Sequence, residues 1–395
     1  MKIVHVVEGL DDSYGGPAKS IPYLAHYCRH LGAEPLLLST RYAGDDYNEV
    51  ISEKKLPWEV YDVQGPAKLR YSPGLRDRLI QLGSQADGRT IFHLHNLWNF
   101  VSFETYRTAR KFNVPLVISP RGSLFPWSLS QGRTRKQAAW QLFQKRALIC
   151  ATVHVTSGPE AKLLRALGVG DRMIQIRNGI ELDTKGAPQI ARNDAIAALG
   201  LGQDQRYALF MSRLHKKKGL ELLFDAWANC AEGKGWTLLI AGDTTDQGYA
   251  ATLRAQARSL GIENQVNFVG FAGAERKEQL FAASELFVLP SHTENFGIVV
   301  AEALANGLPV LTTKGTPWCE LTEFNAGWYV EIDRAAIGSA LSEALAFSEG
   351  ELASMGRRGQ DLAARYRWDE IGEEMHASYQ KVLAASRQAK QRIFG

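Results

Sequence analysis

Residues 286–313 read LFVLPSHTENFGIVVAEALANGLPVLTT. Two short apolar runs, 286–291 and 309–313, flank a polar turn and an apolar stretch of helical length. Apolar runs without alternation suit strands buried on both faces, and two such strands joined by a helix lie parallel. The segment therefore predicts a strand–turn–helix–strand unit in an α/β sheet. Its turn, Asn295-Phe296-Gly297, falls at a strand's carboxyl end, where open α/β sheets bind ligands. Glu294 stands at the mouth. Glu302, eight positions on, falls in the second turn of a helix beginning near Gly297 and can lean back toward it. Gly297 admits a ligand to the backbone, and the unpaired N–H groups from Ile298 onward favour anions. Carboxylates beside an anion site suit a ligand carrying both hydroxyls and phosphates, as a nucleotide sugar does.

The same punctuation recurs through the second half. Residues 207–228 read as a strand, a basic loop and a helix from about Gly219, with Arg213 and Lys218 five apart in the loop. Arginine offers a planar fork for phosphate oxygens and lysine a compact charge, whereas Lys216 and Lys217 suit a solvated edge. Strands are expected at 236–243 and 266–273, the latter ending in Gly270-Phe271. A last helix is expected over 366–386.

In the first half, 2–8 reads as a strand followed by the turn Gly15-Gly16 and a helix led by Pro17. The turn lacks the G-x-G-x-x-G spacing, so it is either a tight turn or a place where backbone N–H groups approach a ligand. Strands are expected at 34–40, 91–98, 115–119, 153–157 and 173–181, and residues 41–75 read as loop-rich. Alternation places His93 and His95 on one strand face. They are a cleft wall or a sugar contact, His95 being the better candidate because it lies nearer the strand end. Arg121, in Pro120-Arg121-Gly122, either braces its loop or meets an anionic group. Asn178-Gly179 is a turn signal preceding a linker with Gly186 and Pro188.

Charge is unevenly spread. Residues 1–185 hold 25 Lys+Arg against 17 Asp+Glu, and residues 186–395 hold 21 against 25. From 105 to 159 there is no acidic residue and there are nine basic ones. Within it, 134–149 has helical spacing, with Ala138, Trp140, Leu142, Phe143, Ala147 and Leu148 between basic ends. Such a helix packs on its own domain with a basic edge, or lies on an anionic membrane; the nearby Phe125 and Trp127 favour the membrane. The four cysteines are far apart with no CxxC or Cys/His cluster, which argues against structural zinc and for reduced thiols in the cytosol. No leader pattern or membrane-spanning run is evident, so a cytoplasmic protein, peripheral on the inner face of the plasma membrane, is expected. The basic segment lacks a nucleic-acid reader motif, which leaves DNA binding a poor fit.

Arg213/Lys218 before a glycine and the E-x7-E of Glu294 and Glu302 resemble the donor-site motifs of the retaining GT-B glycosyltransferases of family 4. The Gly-Gly turn and Asn178-Gly179 are weaker matches, and the resemblance covers nearly the whole chain. It implies two Rossmann-like α/β domains facing across a deep cleft: an acceptor domain over 1–183, a donor domain over 184–367, and a C-terminal helix, 368–395, returning to the first domain. It implies a retaining, metal-independent transfer with no cofactor. The donor is a nucleotide-sugar, UDP favoured over GDP, and the acceptor a polysaccharide, lipopolysaccharide or lipid-linked glycan at the membrane surface. Arg213 and Lys218 would hold the donor diphosphate, Glu294 the sugar hydroxyls and Glu302 the ribose. Gly15, Gly16, His95, Arg121, Phe271, Asn295, Phe296, Gly297 and Ile298 would complete the site. Relatives carry a histidine near Arg121, and arginine there points to an anionic group. The alternatives are a GT-B epimerase or phosphorylase and a non-catalytic glycan- or membrane-binding module.

Overall fold

The computed structural model describes residues 1–395 except 12–13, 43–46, 67–68, 182–189, 232–233, 244–245 and 395, and except the side chains of 247 and 389–394. It contains two compact units, Met1–Gly179 with Trp368–Gly395, and Ile180–Arg367. The boundary expected at 183, with Gly186 and Pro188, lies outside the described residues.

The first unit holds β1 (Lys2–Val6), β2 (Glu34–Arg41), β3 (Trp58–Asp62), β4 (Thr90–His95), β5 (Leu116–Ser119), β6 (Thr152–Val155) and β7 (Met173–Gln175). They form one parallel sheet in the order β3-β2-β1-β4-β5-β6-β7. The second holds β8 (Arg206–Met211), β9 (Trp236–Ala241), β10 (Val266–Gly270), β11 (Leu286–Leu289), β12 (Val310–Thr313) and β13 (Gly327–Val330), in the parallel order β10-β9-β8-β11-β12-β13. Both are doubly wound. Strand order reverses between β1 and β4 in one and between β8 and β11 in the other, which opens a crevice at the carboxyl ends of those strands.

The loop-rich reading of 41–75 is corrected. This stretch contains the helix Glu49–Glu53 and β3, and Pro73 and Gly74 open the helix Pro73–Ser84. β3 is an edge strand, half-buried from Trp58 to Tyr61 and carrying Glu59 and Asp62, so it lacks the apolar run of the central strands. Pro73 sits in the first turn, where its missing N–H costs nothing, and Ser72 caps it.

The final helix, Trp368–Phe394, belongs to the first unit. Trp368, Ile371, Met375, Tyr379 and Leu383 recur at helical spacing and pack on Ile3, Leu24, Cys28, Ile91 and Val117. Trp368 stacks on Tyr23 and Tyr27 at 6.0 and 6.3 Å between centroids. Each such side chain gains about 1.5–3 kcal/mol from burial, which favours docking of the helix on the first unit.

Residues 133–150 form one helical run as expected, with a π-turn at Trp140–Gln144. The extra residue per turn shifts the phase of the apolar stripe. Ala147 and Leu148 are buried, but Ala138 is exposed and Leu142 is 80% exposed.

Candidate functional site

The loops after β8 and β11 meet at the switch point of the second unit. After β8 the chain makes a short 3-10 turn, Lys216–Lys218, and Gly219 then takes φ +71°. A Cβ there would stand 2.1 Å from the carbonyl oxygen of Pro290, at the end of β11. The absence of a side chain is thus what lets the basic loop lie against the β11 loop. His292 N–H donates to Lys217 O at 2.8 Å and ties the two loops together. Lys218 Nζ then reaches Glu294 Oε1 at 2.5 Å, and Ser291 Oγ donates to the same oxygen at 2.9 Å. Burial opposes the ionised Glu294, but Lys218 and Lys217, with the hydrogen bonds from Lys218 and Ser291, outweigh it and hold the carboxyl below its ordinary value.

Arg213 is exposed in this loop and makes no hydrogen bond or ion pair among the described residues. Gly297, at φ +80°, precedes the helix Ile298–Ala305. Glu302 lies in the second turn of that helix and pairs with Lys277 at 2.5 Å. Trp318 donates to Phe296 O at 2.7 Å and fixes the turn from below.

The switch point of the first unit also carries a carboxylate. Glu8, just past β1, accepts from Asn99 Nδ2 at 2.7 Å and from Asn96 Nδ2 at 3.3 Å, across the β1/β4 reversal. Its carbonyl accepts from Arg70 and Thr40. Asn96, Trp98 and Arg121 all adopt positive φ, of 67°, 78° and 51°. Such conformations are costly for non-glycine residues and cluster at functional sites.

Beneath this edge lie four buried histidines whose tautomers follow from their partners. Arg121 Nε donates to His95 Nδ1 at 3.1 Å, so His95 donates from Nε2 to His5 Nδ1 at 3.0 Å. His154 donates from Nε2 to Ile176 O at 3.0 Å, which makes its Nδ1 the acceptor of Ser119 Oγ–H at 2.7 Å. Ser119 Oγ accepts from His93 Nε2 at 2.7 Å, and His93 Nδ1 accepts from Tyr379 O–H at 2.6 Å. Burial, reinforced for both by Arg121 and for His5 also by His154, pulls His5 and His154 down to about 3. His93 and His95 are also well below their ordinary value, chiefly through burial. The ring nitrogens of His5, His93 and His95 lie within 4.8 Å of one another, the spacing of a metal site. The lone pair of each ring, however, already accepts a hydrogen bond, and the Arg121 cation adjoins the cluster, so this donor set does not suit a cation.

Comparison with known proteins places this geometry. Residues 15–179 match the glycosyl transferase 4-like domain and residues 191–357 match the glycosyl transferases group 1. The chain belongs to the group 1 glycosyltransferases. It is 29% identical over 404 residues, 97% of this chain and 94% of the relative, to GDP-mannose:cellobiosyl-diphosphopolyprenol alpha-mannosyltransferase of Komagataeibacter xylinus. It is 29% identical over 58% of this chain to D-inositol 3-phosphate glycosyltransferase of Mycolicibacterium smegmatis, and that match spans about half of the relative (52%). Among solved structures, Anabaena HepE in complex with UDP and glucose superposes with a TM-score of 0.79 at 22% identity, over 96% of this chain and all of that one. WaaG, a glycosyltransferase involved in lipopolysaccharide biosynthesis, does so at 0.71 and 16%, over 95% and 98%. The fold is accordingly GT-B.

In this glycosyltransferase the expected residues are distributed unevenly. Lys218, Glu294, Asn295, Phe296, Gly297 and Ile298 share one crevice edge, with Arg213 in the loop beside Lys218. Glu302 pairs with Lys277. Phe271 is 68% exposed beyond β10. The side chain of Phe296 is core, packed between Trp318 and Tyr366, so only its backbone is available. Gly15, at φ 71°, precedes the helix Gly16–His30. The expectation that His95 touches sugar is corrected: it is buried, and both its nitrogens are engaged within the protein. Arg121 is the half-buried end of that chain, held by His95 and by Ser20 Oγ at 2.9 Å. Glu8, Asn99, Ser291 and Lys277 were not singled out from sequence. Glu8 ends an apolar run and could have been noticed; the others depend on contacts between distant segments.

Proposed function

We propose that this enzyme moves a hexose from a nucleoside diphosphate to a saccharide carried on a lipid diphosphate, with retention at the anomeric carbon. The carrying observation is the Lys218–Glu294 pair beside the exposed Arg213 at the β8/β11 switch point. Arg213 and Lys218 would bind the donor diphosphate and offset the charge that gathers on it as the C1–O bond breaks. The N-terminus of the helix Ile298–Ala305 would add its dipole. Glu294, relieved of part of its pairing by the arriving phosphate, would accept hydrogen bonds from sugar hydroxyls, and Glu302 from the ribose. The acceptor oxygen bonds to C1 on the face the diphosphate leaves, and its proton passes to the departing phosphate oxygen.

The cations of the loop supply the charge that a metal would otherwise offset, which supports a metal-independent transfer. A donor of the UDP or GDP class and a lipid-diphosphate acceptor are supported by the K. xylinus enzyme's name and by the UDP in HepE. The second unit takes the donor and the first the acceptor. Among the described residues no helix is long and apolar enough to cross a membrane. Peripheral contact with an anionic surface is supported by the basic run 105–159 and by Leu142 and Ile149, exposed at 80% and 50%.

A thermal-shift screen with UDP, GDP, ADP and their hexoses tests the donor, because a ligand bound only by the folded state raises its melting temperature. Transfer measured with and without EDTA, and the anomeric configuration read by NMR, test the rest. No shift with any nucleotide, or product of inverted configuration, refutes the proposal.

A further inference from the structure

The first unit contains an apolar cavity of about 450 Å³ that the donor chemistry does not use. It lies between the helix Pro126–Ser130, the helix Arg133–Ala139 with its π-turn, and the strained loop after β4. Trp98, Leu124, Leu129, Trp140 and Leu167 line it, and Arg133 and Lys136 stand among them. Its volume falls within the range of about 300–1,000 Å³ usual for small-molecule sites. Lys136 joins the cavity to the switch point. Its ammonium sits 5.9 Å from the Trp98 ring and donates to Ser128 O, and it feels the field of Glu8. Trp98 lies two residues from Asn96 and next to Asn99, the two asparagines that hold Glu8.

Three chemistries thus follow one another along the carboxyl edge of the first sheet: a carboxylate at β1, cations at Lys136 and Arg133, and a pocket of indole and leucine. A ligand matching that sequence carries hydroxyls, then anionic phosphates, then a hydrocarbon chain. We infer that this cavity is the lipid subsite of the acceptor, seating the first isoprenoid segment of a lipid diphosphate. Lys136 and Arg133 hold the diphosphate and Glu8 receives the hydroxyls of the attached sugar. The inference rests on the lipid-diphosphate acceptor proposed above. The segment 105–159, which supplies both cations, itself carries no carboxylate to repel a phosphate. Leu142, next to the lining residue Gln141 on the same helical run, is 80% exposed.

The test uses the full chain and geranylgeranyl diphosphate as probe, followed by tryptophan fluorescence, with geranylgeraniol, inorganic pyrophosphate and phosphatidylglycerol vesicles as separate arms. Saturable binding at least ten-fold tighter than either fragment is expected. Leu129→Glu and the double variant Arg133→Ser/Lys136→Ser should each weaken it ten-fold or more. Nucleotide thermal shifts on the same variants report whether the fold and donor site survive. Pyrophosphate binding as tightly as the probe overturns the inference. So does a response to vesicles or probe that Leu142→Glu abolishes and Leu129→Glu does not, which would mark a surface contact. If the probe binds as expected and no nucleotide shifts the melting temperature, the donor reading fails and the lipid subsite stands.

Discussion

Lowering the pH from 7 to 5 should loosen the first unit selectively. Four imidazoles, His5, His93, His95 and His154, are buried and held neutral there, with folded pKa values of about 3 for two and well below the ordinary value for the others. The unfolded chain protonates its imidazoles near about 6.5. Between these limits the unfolded state binds more protons, so stability is full above about 6.5 and declines as pH falls toward 3. At pH 5 each imidazole that stays neutral in the fold has forfeited about 2 kcal/mol relative to pH 7. His5 and His154 alone amount to about 4 kcal/mol, against a usual domain stability of about 5–15 kcal/mol, and His93 and His95 act in the same direction. The hydrogen-bond order offers no escape within the fold. A proton added at His95 Nδ1 would face the Arg121 N–H that now donates to it. The second unit is the internal control, because neither of its two histidines, His215 and His292, is buried; partial burial and the neighbouring Arg213 lower the pKa of His215, one group against four. Glu294 does not contribute in this window, since its lowered pKa costs stability only on acidification below the usual carboxylate range. Hydrogen exchange, corrected for intrinsic rate, should show protection of 2–6 and 90–95 falling by about 10³-fold or more from pH 7 to 5 if exchange follows unfolding of the unit, while 206–211 and 236–241 change little. Equal loss in both units, or none in the first, would refute the assignment of neutral, buried imidazoles.

Further outcomes follow from the second unit. Lys218→Met and Arg213→Ala should each lower kcat/KM by about 10²–10³ in a transfer assay at saturating acceptor. Glu294→Gln should lower turnover by a similar factor while a nucleoside diphosphate still raises the melting temperature, because the loop cations remain. Glu302→Gln should raise the donor KM with little change in kcat, as expected of a group that grips the ribose equally in ground and transition states. Gly219→Ala places a methyl against the Pro290 carbonyl at positive φ and should destabilise the second unit by about 2–4 kcal/mol, seen as a lower melting temperature by calorimetry.

Much of this architecture was legible in the residues. Apolar runs such as 36–40, 207–211, 236–241 and 286–289 announce strands buried on both faces, and helices between them leave parallel pairing as the outcome. Gly219 behind Lys218, and Gly297 ahead of an octet that is apolar but for Glu302, locate turns by the conformations only glycine adopts freely. β3 was missed because an edge strand needs one buried face and need not be apolar throughout. The stripe through 134–149 was misplaced at Ala138 and Leu142 because a π-turn changes the helical period without changing composition.

Local spacing dictated strands, helices, turns and the residue types at each strand's end. Strand order was decided in three dimensions, since a parallel crossover can return to either side of a strand at similar local cost. That order sets β8 beside β11 and β1 beside β4, and so joins Lys218 to Glu294 over 76 positions and Asn99 to Glu8 over 91. The neutral histidines are likewise a tertiary product: only packing that removes water and gives one nitrogen of each ring a donor to accept from selects a single tautomer.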